Sequence, residues 1–157
     1  MVTLYCAVLF SWCLHDGKGD ADLLKSTWVP ATEAASSIIG AKTLMTEAVG
    51  IPGWEFEGYV YDEIGIVTPE MWKYLGSDGW YYRAVMDLEP DLLIVRPEML
   101  LKNEQISGAY RPFANDEQLR EILEERYLAA PEYKHVGGHH SHKISSVLIL
   151  IREGLQK

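Results

Sequence analysis

Short apolar runs alternate with amphipathic stretches along most of the chain, and the two patterns predict different elements. The apolar runs are bounded by Gly, Pro and acidic residues, which favours strands. In chain order the predicted strands cover residues 41–48, 58–65, 91–95, 133–136 and 145–153. The run 91–95 has no polar alternation, which is typical of a strand buried on both faces of a parallel sheet.

Helix starts are predicted between these strands from capping residues. Thr32 is the predicted N-cap of an early helix over 32–39. Thr68 is a second predicted cap, followed by Pro69 and Glu70, which suit the first turn and the positive end of the helix. The predicted apolar face of this helix holds Met71, Trp72 and Leu75.

The clearest helical period lies in residues 115–128, where Asn115 is the predicted cap and Gln118 reaches back to it. Its apolar stripe consists of Leu119, Ile122, Leu123 and Tyr127. A shorter helix is predicted before the proline that precedes 91–95, and the Gly- and Pro-rich stretch 50–54 is predicted to be a turn.

This order of elements predicts an α/β fold with three layers around a mostly parallel, five-stranded sheet. The last two strands are predicted to be an antiparallel pair, because the connection between them is too short for a crossover. One α/β domain is expected over 26–157, preceded by an apolar segment and a linker over 1–25.

The net charge of the chain limits the classes of binding partner that we expect. The net charge is −9, from 14 basic and 23 acidic residues, and the basic residues do not cluster. A nucleic-acid partner is therefore not expected, since such proteins present a basic face. No glycine-rich dinucleotide or phosphate-binding motif is present, so no cofactor is predicted.

The apolar run over residues 2–14 has two interpretations. Its length suits a strand or helix packed in the core, and it is shorter than the ~20 residues that span a bilayer. The alternative is the end of a membrane helix, which would attach the chain to a membrane.

Polar residues follow three predicted strands of the sheet. In open α/β sheets ligands bind outside the carboxyl ends of parallel strands. The predicted ligand-binding residues are Glu47, Trp54, Asp62, Glu63 and Arg96, which combine carboxylates, an arginine and an aromatic platform for a polar ligand such as a sugar. If the strand continues through Asp62 and Glu63, only one of these two carboxylates faces the site.

Three histidines, His139, His140 and His142, lie in a glycine-containing stretch near the end of the chain. Neutral imidazoles bind metals, but no nearby cysteine or spaced carboxylate completes a ligand set. A solvated hairpin tip is therefore the favoured interpretation, with a metal site as the alternative.

The chain over roughly 40–152 resembles the soluble C-terminal region of membrane-embedded glycosyltransferases that use polyprenyl-phosphate sugars. These enzymes form the mannosyltransferase and arabinosyltransferase-like superfamily. The residues that fit its pattern are Glu47-Ala48-Val49-Gly50, Asp62, Gly65, Val67-Thr68-Pro69-Glu70, Pro90-Asp91 and Arg152.

This resemblance implies an extracytoplasmic, membrane-associated accessory domain that helps to bind a lipid-linked sugar donor or a glycan acceptor. In that family the catalytic acid lies in a loop between membrane spans that this chain does not contain, so no catalytic residue is assigned. The alternative is a free-standing α/β ligand-binding or protein-interaction module without enzymatic activity, in the cytoplasm.

Overall fold

The computed structural model describes residues 24–101, 110–130 and 147–155. Three predictions lie outside these ranges: the interpretation of the apolar run 2–14, the strand at 133–136, and the stretch that holds the three histidines.

The described strands form one five-stranded sheet. They are β1 (Thr43–Thr46), β2 (Tyr59–Asp62), β3 (Leu92–Val95), β4 (Tyr127–Ala129) and β5 (Leu148–Arg152), in the order β2-β1-β3-β5-β4. β1 is parallel to both β2 and β3, whereas β5 is antiparallel to β3 and β4. Four strands therefore run in one direction and β5 runs in the other, which confirms the predicted α/β class.

Helical segments connect and cover the strands. A π-helical turn (Leu24–Trp28) leads into α1 (Val29–Ser36), and α2 (Gly50–Glu55) joins β1 to β2. A 3-10 helix (Pro69–Lys73) and α3 (Trp80–Leu88) connect β2 to β3, and α4 (Pro97–Leu101) follows β3. α5 (Asp116–Arg120) continues as a π-helical segment (Glu121–Arg126) into β4.

Apolar residues pack on both faces of the sheet, which gives the three predicted layers. β3 is buried along its whole length. Its Leu93 and Val95 join the core that includes α3, whereas Leu92 and Ile94 join the core that includes α1. The alternation of side chains along a strand thus divides one apolar run between two cores.

The first helix begins before the predicted cap, so the prediction for Thr32 is wrong. Thr32 lies inside α1, fully buried, and its hydroxyl donates to the Trp28 carbonyl at 2.7 Å. α1 begins at Val29 because the π-helical turn runs directly into it, and its first turn accepts Pro30 without loss of a helical hydrogen bond.

Residues 50–54 are helical, although a turn was predicted there. Pro52 lies in the first turn of α2, where a helix does not need its missing N–H, and the Gly53 N–H donates to the Val49 carbonyl at 2.8 Å. The predicted face of the next helix is also wrong at one position. Met71 is fully buried and Leu75 is partly buried, but Trp72 is 69% exposed.

The predicted cap at Asn115 is confirmed, since its side chain accepts from the Gln118 N–H at 3.0 Å. The predicted end of this helix is wrong, because Tyr127 belongs to β4 and pairs with Arg152 of β5. Its hydroxyl donates to the Pro90 carbonyl at 2.6 Å, so contacts with distant residues favour the strand. An antiparallel C-terminal pair is present, but its first strand is β4 (Tyr127–Ala129), whereas the strand predicted for that place, 133–136, lies outside the described residues.

Candidate functional site

Three parallel strands end at the same edge of the sheet, and each is followed by a charged residue. β1 ends at Thr46 before Glu47, β2 ends at Asp62 before Glu63, and β3 ends before Arg96. The register pairs Thr46 with both Asp62 and Ile94, so the strand ends are level. We call this place the carboxyl edge of the sheet.

Glu47 and Arg96 form an ion pair across the carboxyl edge. Their side chains are 13% and 20% exposed respectively, so solvent screens the pair only weakly. Burial raises the pKa of Glu47 and outweighs the lowering caused by Arg96, and the nearby Glu98 raises it further. The chain therefore holds a desolvated charge pair at the end of its two central parallel strands.

Glu63 is almost completely buried, with 3% of its surface exposed. Burial raises the pKa of this carboxyl well above its usual range, and the negative charge of Glu47 adds to the effect against the opposing charge of Arg96. Its Oε1 atom has no hydrogen-bond partner among the described residues. Glu63 is thus a carboxyl group held in conditions that favour its neutral form.

Tyr81 is a further neighbour of Glu63, and the sequence did not predict it as a site residue. It lies in the first turn of α3, is fully buried, and its hydroxyl lies close to the Glu63 carboxyl group. Burial raises the pKa of its phenol, as does the charge of Glu63. The position of Tyr81 could have been predicted, because the first turn of a crossover helix lies at the carboxyl end of the strand before it.

Polar atoms without partners concentrate at the carboxyl edge. Five buried side-chain polar atoms lack a hydrogen-bond partner in the described part of the chain, and four of them belong to this group. They are Thr46 Oγ1, Glu63 Oε1, Tyr81 Oη and Arg96 Nε. Buried polar groups are normally paired, so this concentration marks the carboxyl edge as the candidate site.

Asp62 has a different environment from its neighbour Glu63. Its Oδ1 accepts from the Ile64 N–H at 2.9 Å, and its Oδ2 accepts from the N–H groups of Ile66 and Val67 at 2.6 and 2.9 Å. Both carboxylate oxygens are thus engaged with the backbone of the following loop. Asp62 organises that loop, while Glu63 remains with Tyr81.

Thr68 bonds to the strand rather than capping its helix, so that part of the prediction is wrong. Its Oγ1 accepts from the Asp62 N–H at 2.9 Å, and it makes no side-chain bond to the 3-10 helix. The predicted start is otherwise correct, since Pro69 and Glu70 lie in the first turn.

Among the described contacts, none joins Trp54 to the other predicted site residues. It projects from α2 and is 88% exposed. The structure therefore joins Glu47, Glu63 and Arg96, places Asp62 beside them, and leaves Trp54 on the outer surface of a neighbouring helix.

A groove of about 350 Å³ lies near the opposite edge of the sheet, between α3 and the last two strands. Its main polar groups already have partners. Arg152 binds the Asp91 carboxylate and the Glu89 carbonyl, and the Tyr127 hydroxyl donates to Pro90. The groove therefore lacks the unpaired polar atoms that distinguish the carboxyl edge.

Within 24–101, 110–130 and 147–155, no group of three or more His, Cys, Asp or Glu residues is arranged to hold a metal ion. In those same ranges, no helix has the length and apolar character needed to cross a membrane.

Comparisons of the chain with protein-family models, with curated proteins and with solved structures find no match.

Proposed function

We propose that the chain is a ligand-binding α/β domain that holds a hydroxyl-rich ligand at its carboxyl edge, as the accessory domain of a membrane glycosyltransferase. The observation that carries the proposal is that four of the five unpaired buried atoms among the described residues lie at the carboxyl edge, where Glu47 and Arg96 form an ion pair. A lipid-linked sugar or a glycan supplies hydroxyl groups that donate and accept, which is what these atoms lack.

The charges at the edge favour an uncharged part of the ligand there. Glu47 already neutralises Arg96, and Glu63 has no positive partner of its own. In its neutral form the buried Glu63 carboxyl can both donate to and accept from a sugar hydroxyl, and it offers no positive charge to a phosphate group. In this proposal Glu63 and Tyr81 contact the sugar, and the ion pair holds the edge in shape.

The domain is proposed to bind without transferring sugar. The resemblance assigns no catalytic residue to the part of the chain that it covers, roughly 40–152. Asp62 is engaged by three backbone N–H groups, so it serves the loop rather than the ligand. Trp54 remains a predicted contact for a ligand large enough to extend over α2.

Calorimetric titration tests the proposal, with a short-chain polyprenyl-phosphate sugar and the corresponding free sugar as ligands. Replacing Glu63 by Ala, or Arg96 by Met, is expected to weaken binding by about tenfold or more, because each removes a buried hydrogen-bonding group. Glu33→Ala is the matched control, since Glu33 is exposed on α1. Unchanged binding by the folded Glu63 variant would show that the site is wrong.

A free-standing interaction module is the second candidate, and the exposed Trp54 and Ile39 favour it, since large apolar side chains at the surface mark contact sites. Sedimentation without detergent distinguishes the two. A well-behaved monomer or dimer that binds neither ligand supports the interaction module.

A further inference from the structure

The loop between β2 and the 3-10 helix presents apolar side chains to solvent. Nine large apolar residues are exposed in the described chain, and four of them lie between residues 64 and 72. They are Ile64, Ile66, Val67 and Trp72, and Ile66 is 76% exposed. We call these four side chains the apolar tip.

The backbone of this loop is fully bonded on its donor side. The N–H groups of Ile64, Ile66 and Val67 donate to the Asp62 carboxylate, and that of Gly65 donates to the Asp62 carbonyl at 3.0 Å. Asp62 N–H donates to Thr68, and Glu63 N–H donates to the Thr46 carbonyl at 3.1 Å. Six consecutive N–H groups therefore need no water, which suits a segment that leaves water.

Trp72 is fixed to the same loop. Its indole N–H donates to the Gly65 carbonyl at 2.7 Å, and its ring lies so close that a Cβ on Gly65 would approach Trp72 Cδ1 to 2.5 Å. Gly65 also has a φ of +80°, which other residues rarely adopt. The apolar tip is thus held in one shape before it meets any partner.

The size and charge of the apolar tip indicate its partner. No charged residue lies between Ile64 and Thr68, and the exposed Glu70 and Lys73 flank Trp72. Four such side chains bury on the order of 400 Å², whereas a stable protein interface needs about 800 Å² on each partner. A small, rigid apolar projection with a tryptophan at its side suits the interfacial region of a lipid bilayer.

We infer that Ile64, Ile66, Val67 and Trp72 insert into the interfacial region of an uncharged lipid bilayer and hold the carboxyl edge of the sheet at the membrane surface. Insertion is driven by apolar contact. The chain carries a net charge of −9 and would be repelled by anionic lipid. The inference goes beyond the proposed ligand and does not depend on it.

Vesicles of phosphatidylcholine brominated on the acyl chains test the inference with the full chain. Bromine quenches tryptophans that reach the acyl region. We expect quenching that disappears in Trp72→Phe and persists in Trp54→Phe. The double variant I66S/V67S is expected to partition at least about tenfold less, and Ile39→Ser, at an exposed isoleucine in the turn after α1, is expected to partition normally.

Salt provides a second readout. Binding to phosphatidylcholine vesicles is expected to be unchanged or stronger at high salt, and adding phosphatidylglycerol is expected to weaken it at low salt. The inference is overturned if quenching is the same in Trp72→Phe as in the parent chain. It is also overturned if sedimentation shows self-association that I66S/V67S abolishes, because the tip would then bind a second copy of the chain. A third contrary result is that acrylamide fails to quench Trp72 in buffer, which would mean that the chain itself covers the tip.

Discussion

Adjacent residues at the carboxyl edge have opposite roles, as the pair Asp62 and Glu63 shows. Asp62 is 1% exposed and accepts three backbone hydrogen bonds, so its buried charge is compensated. Glu63 is 3% exposed and has an oxygen without a partner. The carboxyl group of Asp62 therefore stabilises the loop, whereas that of Glu63 keeps an oxygen without a hydrogen-bond partner.

Glu63→Gln is expected to raise the free energy of unfolding at pH 7, because the amide fills the same space as the carboxyl group but cannot ionise in the buried site. The folded chain binds the Glu63 proton more tightly than the unfolded chain does, because burial raises the pKa above its usual 4.5. The stability that this group contributes is thus present below pH 4.5 and is lost as pH rises toward the raised pKa.

Urea unfolding at a series of pH values measures this effect. The difference between parent and Glu63→Gln should be small near pH 4 and should grow as the pH rises, whereas Glu33→Gln at an exposed site should show no such trend. A difference that does not depend on pH would contradict the assignment of a neutral buried carboxyl to Glu63.

At the scale of elements, local signals predicted strands well and helix boundaries less well. β1, β2, β3 and β5 all lie within predicted ranges, because short apolar runs between turn residues have few alternatives. The failures occurred where distant contacts decided the outcome. Tyr127 continues the apolar period of its helix, yet its pairing with β5 and its bond to Pro90 place it in a strand.

The sequence also predicted only part of the candidate site. The strand-end residues Glu47, Glu63 and Arg96 follow from the rule that parallel strands end together, once the strands are known. Tyr81 was missed because its burial and orientation depend on how α3 packs, and the sequence shows only three aromatic residues in succession. That Asp62 binds the loop could not be foreseen either, since it depends on the fold of Ile64–Val67.

The N-cap of α5 offers a test at this scale. Asn115→Ala is expected to lower the free energy of unfolding by about 1 kcal/mol, because the Gln118 N–H loses its acceptor. Asn115→Asp should retain most of the stability, since a carboxylate accepts the same hydrogen bond at the positive end of the helix. Thermal unfolding followed by circular dichroism measures both variants, and equal losses in the two would contradict the capping role.

At the scale of the whole molecule, the sheet is the layer that both cores share within the described ranges. Asp91 shows how it is held together, since its carboxylate accepts from the N–H groups of Lys42 and Thr43 and binds Arg152. One residue thus joins β1, β3 and β5 near the edge opposite the candidate site. The carboxyl edge has a link of its own, since the Glu47–Arg96 ion pair joins the ends of β1 and β3.

Because β3 contributes to both cores, damage to either face should unfold the whole domain at once. Leu92→Ala and Leu93→Ala remove fully buried side chains from opposite faces of the same strand, and each is expected to cost about 2–5 kcal/mol. Chemical unfolding should show one transition in both variants, followed by circular dichroism and by tryptophan fluorescence from Trp28 in one core and Trp80 in the other. If the two probes separated in Leu92→Ala, the layer with α1 would be an independent unit rather than one side of a common fold.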